Sequence, residues 1–249
     1  MDDLPDSGYA SKVSPARKIL HMSDERRAAQ AGSLLLPAKR NARQRMNGYD
    51  LLKSVRDGGA KLVFCDPQYR AVLDKMAYGN EGARQKGRAS LPQMPEAQIG
   101  RFLRQIERIL APSGHLVLWT DKFAIGTGWH VSVLRHLQEL QLVDLICWNK
   151  LRPGMGRRAR CVSEYAVIVQ KNPIRAKGIW TDRAIWDCWP EMADRGRHPH
   201  AKPHLLMERL IRATTKRGDL VVDPCAGGYG VLAACELSGR EFLGCDLAT

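Results

Sequence analysis

The stretch Leu62-Val63-Phe64-Cys65-Asp66-Pro67-Gln68-Tyr69 limits what this chain can fold into more than any other. An apolar run that stops on an acid and a proline is the pattern of a strand buried on both faces, as in a parallel sheet covered by helices. Proline cannot donate to the ladder. Asp66 and Tyr69 are therefore expected to project from the carboxyl edge, where open α/β sheets take their ligands. A carboxylate acceptor, a backbone carbonyl at Pro67 outside the ladder and a flat ring suit one task, the grip of an exocyclic amino group on a planar base. Taken alone, the same string also reads as an ordinary strand and turn, because Asp-Pro commonly opens turns.

The following residues repeat the theme. A helical stripe (Ile99, Phe102, Leu103, Ile106, Ile109, Leu110) begins at Pro95-Glu96 and gives way to a strand over His115–Thr120. A second helix is expected over 129–141, then strands at Leu142–Trp148 and Val162–Gln170. Upstream, Gly48-Tyr49-Asp50 opens a short helical turn. Helix alternating with strand implies an α/β fold with a doubly wound, mostly parallel sheet. A length of 249 residues fits one such domain, expected over 41–249 behind a basic amino-terminal arm, residues 1–40, that is partly flexible or wraps the domain. The segment 172–198, with Trp180, Trp186 and Trp189, reads either as a stacking surface or as a packed connector.

Charge narrows the partner. With 39 Lys+Arg against 26 Asp+Glu, the net charge of +13 favours a polyanion, nucleic acid above membrane. No apolar run approaches the ~18 residues of a membrane span. Two loops concentrate the cations. Arg84, Lys86 and Arg88 lie in a glycine-bearing loop after Tyr69, read as a flap that closes on substrate. Residues 150–160 carry five cations in eleven residues, among them Arg152, Arg157, Arg158 and Arg160, which suit a phosphate backbone. The first also fits a disordered surface loop and the second a plain solvated charge run. The seven cysteines form no Cys-x-x-Cys pair and, with no signal peptide at Met1-Asp2-Asp3, point to a reduced, cytoplasmic and nucleoid-associated protein. His198, His200 and His204 lack partner cysteines at ligand spacing, so no metal is expected.

The second informative stretch is Leu220-Val221-Val222-Asp223-Pro224-Cys225-Ala226-Gly227-Gly228-Tyr229-Gly230. A buried strand runs into a glycine turn that opens a helix, so a ligand can approach the backbone and the helix amino end favours an anion. Phe242-Leu243-Gly244-Cys245-Asp246 then reads as a strand tipped by an acid, the device that holds ribose hydroxyls in such folds.

Asp-Pro-x-x-Gly-x-x-Gly after a strand resembles the S-adenosylmethionine site of the amino-methylating DNA methyltransferases. Asp66-Pro67-Gln68-Tyr69 resembles that family's Asp-Pro-Pro-Tyr motif, and His198-Pro199-His200-Ala201-Lys202-Pro203 its His-Pro-x-x-Lys-Pro stretch. Catalytic motif first and cofactor motif last is the permuted order of the class called beta, and Asp as first motif residue leans to adenine N6. The resemblance implies that Asp66 and Pro67 grip the amino group, with Gln68 beside them and Tyr69 stacking on a flipped base. It also implies that Asp223, Pro224, Cys225, Ala226, Gly227, Gly228 and Gly230 hold the methionine part of S-adenosyl-L-methionine. Asp246 would take the ribose, Asp50 the adenine end, and Lys202 the methionine carboxylate or pocket backbone. Three departures stand out: Gln68 in place of a second proline, the bulky Tyr229, and an end at Thr249 just past the last strand. The last leaves two expectations, an edge covered by the amino-terminal arm or a bare edge paired in a homodimer. Without a long recognition insertion, specificity for DNA is expected to be short or permissive. Cytosine-N4 or RNA amino methylation, and a silent nucleic-acid-binding subunit, remain as alternatives.

Overall fold

The computed structural model describes residues 38–67, 94–154, 158–192, 194 and 201–247. Among them seven strands form one sheet: β1 (Ala60–Cys65), β2 (Leu110–Thr120), β3 (Leu140–Asn149), β4 (Ser163–Lys171), β5 (Cys188–Pro190), β6 (Leu220–Asp223) and β7 (Glu241–Gly244). Their order is β5-β3-β4-β2-β1-β6-β7. The pairs β1/β2, β1/β6, β6/β7 and β3/β5 are parallel; β4 alone runs against both its neighbours. The expected doubly wound, mostly parallel sheet is present.

Period-2 alternation sorts the sheet's side chains into two cores. Val63 and Cys65 of β1, Leu116 and Leu118 of β2 and Val222 of β6 face one layer. That layer holds α1 (Gly48–Ser54), α2 (Glu96–Ile109) and α4 (Trp129–Leu134), with the short α3 (Lys122–Gly126) between the last two. Leu62, Phe64, Val117, Trp119 and Val221 face the other, made by α5 (His204–Thr214) and α6 (Gly230–Ser238). In α2 the buried residues Ile99, Phe102, Leu103, Ile106 and Ile109 recur at helical spacing. Each fully buried large aliphatic contributes about 1.5–3 kcal/mol relative to exposure.

Three expectations change. The helix expected over 129–141 stops at Leu134, because ladder pairing of β3 with β4, from Leu140↔Lys171 to Asn149↔Ser163, claims the residues that follow Glu139. Strand β2 starts at Leu110, not His115, directly at the end of α2. The 172–198 segment contributes β5. Its Trp180 and Trp189 pack on the core while Trp186 is exposed, the arrangement of a connector more than of a stacking surface. Helix α5 buries Leu206, Met207, Leu210 and Ile211 at helical spacing; Pro203 precedes its first turn, and Glu191 accepts the amides of Leu205 (2.9 Å) and Leu206 (3.1 Å), capping it from a distant segment.

The outer edge of β7 is covered by residues 41–46. Asn41 exchanges two bonds with Phe242, each 2.8 Å. Gln44 donates to the Gly244 carbonyl at 2.9 Å, and Arg45 bridges Asp246 in parallel fashion. Tyr229, in the left-handed region at φ 59, turns its buried ring to this segment, and its hydroxyl donates to the Gln44 carbonyl (2.9 Å) and accepts from the Gln44 amide (3.1 Å). Its bulk is thereby accommodated beside the turn.

One glycine fixes how α1 meets the rest. A Cβ on Gly48 would lie 2.3 Å from the Pro224 carbonyl oxygen and 3.0 Å from the Phe102 ring. Backbone sits on both sides of that contact, so relief requires moving α1 off the turn after β6. Gly48→Ala is expected to destabilise by about 1–3 kcal/mol, the range for overpacking, measured by urea unfolding; an unchanged midpoint would show that α1 is free to shift.

Candidate active site

The carboxyl ends of β1, β2, β3, β6 and β7 all point to one edge, and the antiparallel β4 brings its amino end there too. Pairing of β1 with β6 (Leu62↔Val221, Val63↔Val222) sets the two Asp-Pro ends side by side. Asp66 follows Cys65, the last ladder residue of β1, and its half-buried carboxylate forms an ion pair with Lys202, Nζ to Oδ2 3.0 Å. Pro67 is buried behind it. Gln68 and Tyr69 lie outside the described residues, as do Arg84, Lys86 and Arg88, Arg157, and His198 and His200.

Lys202 bridges two acids. Besides Asp66, its Nζ lies 2.9 Å from Glu164 Oε2, while Lys150 Nζ lies 2.9 Å from Glu164 Oε1. Both ammonium groups sit over indoles, Lys202 5.1 Å from the Trp119 centroid and Lys150 5.7 Å from that of Trp148, and the two indoles meet edge to face. Burial acts to raise the Glu164 carboxyl, but Lys202 and Lys150 outweigh it and bring its pKa down to about 2. The row Asp66–Lys202–Glu164–Lys150 alternates in sign and sums to zero. Sequence reasoning gave Glu164 no role; its one signal was an acid at the head of an otherwise apolar strand. Lys150, read as part of the cationic loop, turns inward instead.

The glycine turn is built from its neighbours. Asp223 ends β6 buried, its Oδ1 accepting from the Cys225 amide at 3.1 Å. Ala226 donates to the Cys245 carbonyl (3.0 Å) and the Gly227 amide to Asp246 Oδ2 (3.1 Å), which fixes the acid at the tip of β7 against the turn. Gly227 takes φ 47, a conformation that suits glycine. Pro224 meets Gly48, and Gly230 starts α6. Gly228 is exposed on the turn. Asp50 projects from α1, 3.5 Å from Lys53. The Cys245 thiol is pushed up to about 12 by burial and then by Asp223, Asp246 and Asp50, whose three carboxylates thus share its surroundings. Burial, with Asp66 and Asp246 nearby, raises Asp223 to about 7. Carboxylate acceptors around a glycine bend fit a ligand rich in hydroxyl and amino donors, as S-adenosyl-L-methionine is.

Of the other cations, Arg152, Arg158 and Arg160 are exposed on the β3–β4 loop at this same edge, Arg160 donating to the carbonyls of Pro153 and Gly154. A groove lined by Arg104, Glu107, Arg108, His136 and Glu139 lies at the opposite, amino edge of the strands and takes no part.

Comparison with known proteins places these features. The profile of the DNA methylase family matches residues 60–249. The chain is 47% identical over 211 residues to the type II methyltransferase M.HhaII of Haemophilus parahaemolyticus, covering 83% of this chain and 91% of that one. In fold it is similar to a putative DNA modification methylase of Thermus thermophilus complexed with S-adenosyl-L-methionine, with TM-score 0.57 and 23% identity over 82% of this chain and 88% of that one. It is also similar to the PvuII DNA methyltransferase, cytosine-N4-specific, with TM-score 0.64 and 16% identity over 83% and 81%.

The raised Asp223 gives a pH signature. Its folded pKa lies above its unfolded value near 3.8, so the folded state holds the proton more tightly. Stability should fall as pH rises from about 4 to about 7 and level off above, by on the order of a few kcal/mol. Asp223→Asn, which keeps the acceptor for the Cys225 amide, is expected to flatten that decline in urea unfolding of the ligand-free protein. A decline of equal slope in the variant would place the titration elsewhere.

Proposed function

We propose a function from one premise: this chain belongs to the DNA methylase family. It is a DNA amino-methyltransferase that uses S-adenosyl-L-methionine. More finely, the acceptor is the N6 amino group of adenine, extruded from the duplex, with short or permissive sequence specificity. Residues 41–249 are the catalytic domain, and the protein works in the cytoplasm on nucleoid DNA. The observation that carries the reading is the β1/β6 pairing that sets Asp66 beside the glycine turn. An aspartate as the first residue of the catalytic motif favours adenine over cytosine.

An adenine amino group is a poor nucleophile because its lone pair is delocalised into the ring. Asp66 and the Pro67 carbonyl each accept one N–H, which draws the nitrogen towards tetrahedral geometry and frees the lone pair. When bound, the cofactor would supply a methyl on a sulfonium; the turn from Asp223 to Gly230 would hold it, with Asp246 on the ribose and Asp50 at the adenine end. Transfer would form a nitrogen–carbon bond as the sulfur–carbon bond breaks, with the electron pair kept by sulfur and one proton released from the nitrogen to solvent. Positioning and electrostatics do this without a covalent enzyme intermediate. Flipping the base requires a few kcal/mol of unstacking, and stacking on Tyr69 returns about 1–3 kcal/mol.

The test is methyl transfer from labelled S-adenosyl-L-methionine to unmethylated plasmid DNA, followed by nucleoside mass spectrometry. N6-methyladenine is expected, and Asp66→Ala should lower the rate by at least about 100-fold with cofactor affinity retained. Methylation confined to cytosine N4, or full activity in the variant, would reject the reading. Replacing Arg152, Arg158 and Arg160 together by alanine should weaken DNA binding and lower the log–log salt slope by up to about 0.9 for each phosphate no longer neutralised. An unchanged slope would remove this loop from the DNA interface.

A further inference from the structure

We propose that Glu164 and Lys202 are a positioning pair for Asp66, and that Lys202 serves the acceptor carboxylate and not the cofactor. The inference rests on the reading of Asp66 given above. Lys202 Nζ stands between Asp66 Oδ2 (3.0 Å) and Glu164 Oε2 (2.9 Å), with the Trp119 ring against it. An ammonium held by two carboxylates and an indole has little freedom, so the plane of the Asp66 carboxylate is fixed by whatever fixes Lys202. Four features do so: Glu164, itself tied to Lys150; the ladder pair Trp148↔Glu164; Pro203, which starts α5; and Glu191, which caps that helix. With Oδ2 on the lysine, Oδ1 is the oxygen offered to the substrate amino group.

Charge gives Glu164 a second part in the same role. The attacking nitrogen becomes positive as it takes the methyl, and a lone ammonium next to Asp66 would oppose that. Glu164 offsets part of the Lys202 charge, so Asp66 keeps more of its attraction for the developing cation. Lys150 lies on the other oxygen of Glu164, so that carboxylate's single charge is divided between two ammonium groups, and the four groups of the row sum to zero. The strongly acidic Glu164 carboxyl agrees with a group ionised throughout the working pH range.

The experiment uses the full chain, labelled S-adenosyl-L-methionine and unmethylated plasmid DNA, with Glu164→Gln, Lys202→Met and Lys202→Arg beside wild type and Asp66→Ala. Cofactor Kd is taken by calorimetry and rate by single turnover at saturating cofactor and DNA; thermal melting verifies that each variant is folded. Glu164→Gln and Lys202→Met are expected to lower the saturated rate about 10- to 100-fold, the scale of a misplaced catalytic group, with cofactor Kd moved less than about twofold on the same scale. Lys202→Arg, whose fork still spans two carboxylates, should recover most of the loss. A weakened cofactor Kd with an unchanged saturated rate overturns the proposal and assigns Lys202 to the cofactor. Equal losses in Lys202→Arg and Lys202→Met also overturn it. Failure of the underlying reading looks different: Asp66→Ala then transfers methyl groups as fast as wild type.

Discussion

The parallel pairing of β1 with β6 is the contact on which the site depends. It joins two strands distant in sequence, each ending in Asp-Pro, so that an acceptor carboxylate and a glycine turn open onto one edge. The same pairing creates an electrostatic problem, because Asp66, Asp223 and Asp246 gather within reach of one another. Two devices answer it. Burial and its acidic neighbours raise Asp223, lessening the charge at the base of the turn, and Lys202 supplies a cation to Asp66. The cation then needs its own partner, which Glu164 provides. Charge at this edge is thus arranged in alternation, and each member is held by a different element of the fold.

Residues near in sequence and rich in pattern were readable. The run Leu62–Cys65 reads as a buried strand and is one, and Asp66, Asp223 and Asp246 occupy the strand ends that their apolar runs implied. Helix α2 follows its apolar stripe almost residue for residue. What stayed hidden depends on partners far along the chain. Helix α4 is cut short by a ladder between β3 and β4, and strand β5 exists because β3 has a free edge for Cys188–Pro190. The cap on α5 comes from Glu191, which no local capping pattern announces. Glu164 falls in the same class, since a single acid in a strand reveals nothing until Lys150 and Lys202 arrive from either side.

Cations show the limit of composition most clearly. Lys150 and Arg152 are near neighbours in a loop whose charges look alike on paper. In the folded chain Lys150 lies over Trp148 and closes an ion pair, whereas Arg152 stands in solvent. A net charge of +13 therefore overstates what is available to a polyanion. Tyr229 shows the converse: a residue that looked too large for its turn is buried against residues 41–46 and ties them along the last strand, so that the edge of β7 is closed by the chain itself.

The most direct measurement is a crystal structure of the full chain with S-adenosylhomocysteine and a duplex bearing its methylation site. The account requires the amino nitrogen of an extruded adenine about 3 Å from Asp66 Oδ1, a hydrogen-bond distance, while Lys202 stays on Oδ2 and on Glu164. An adenine seated away from Asp66, or Lys202 swung onto the carboxylate of the cofactor product, would contradict it.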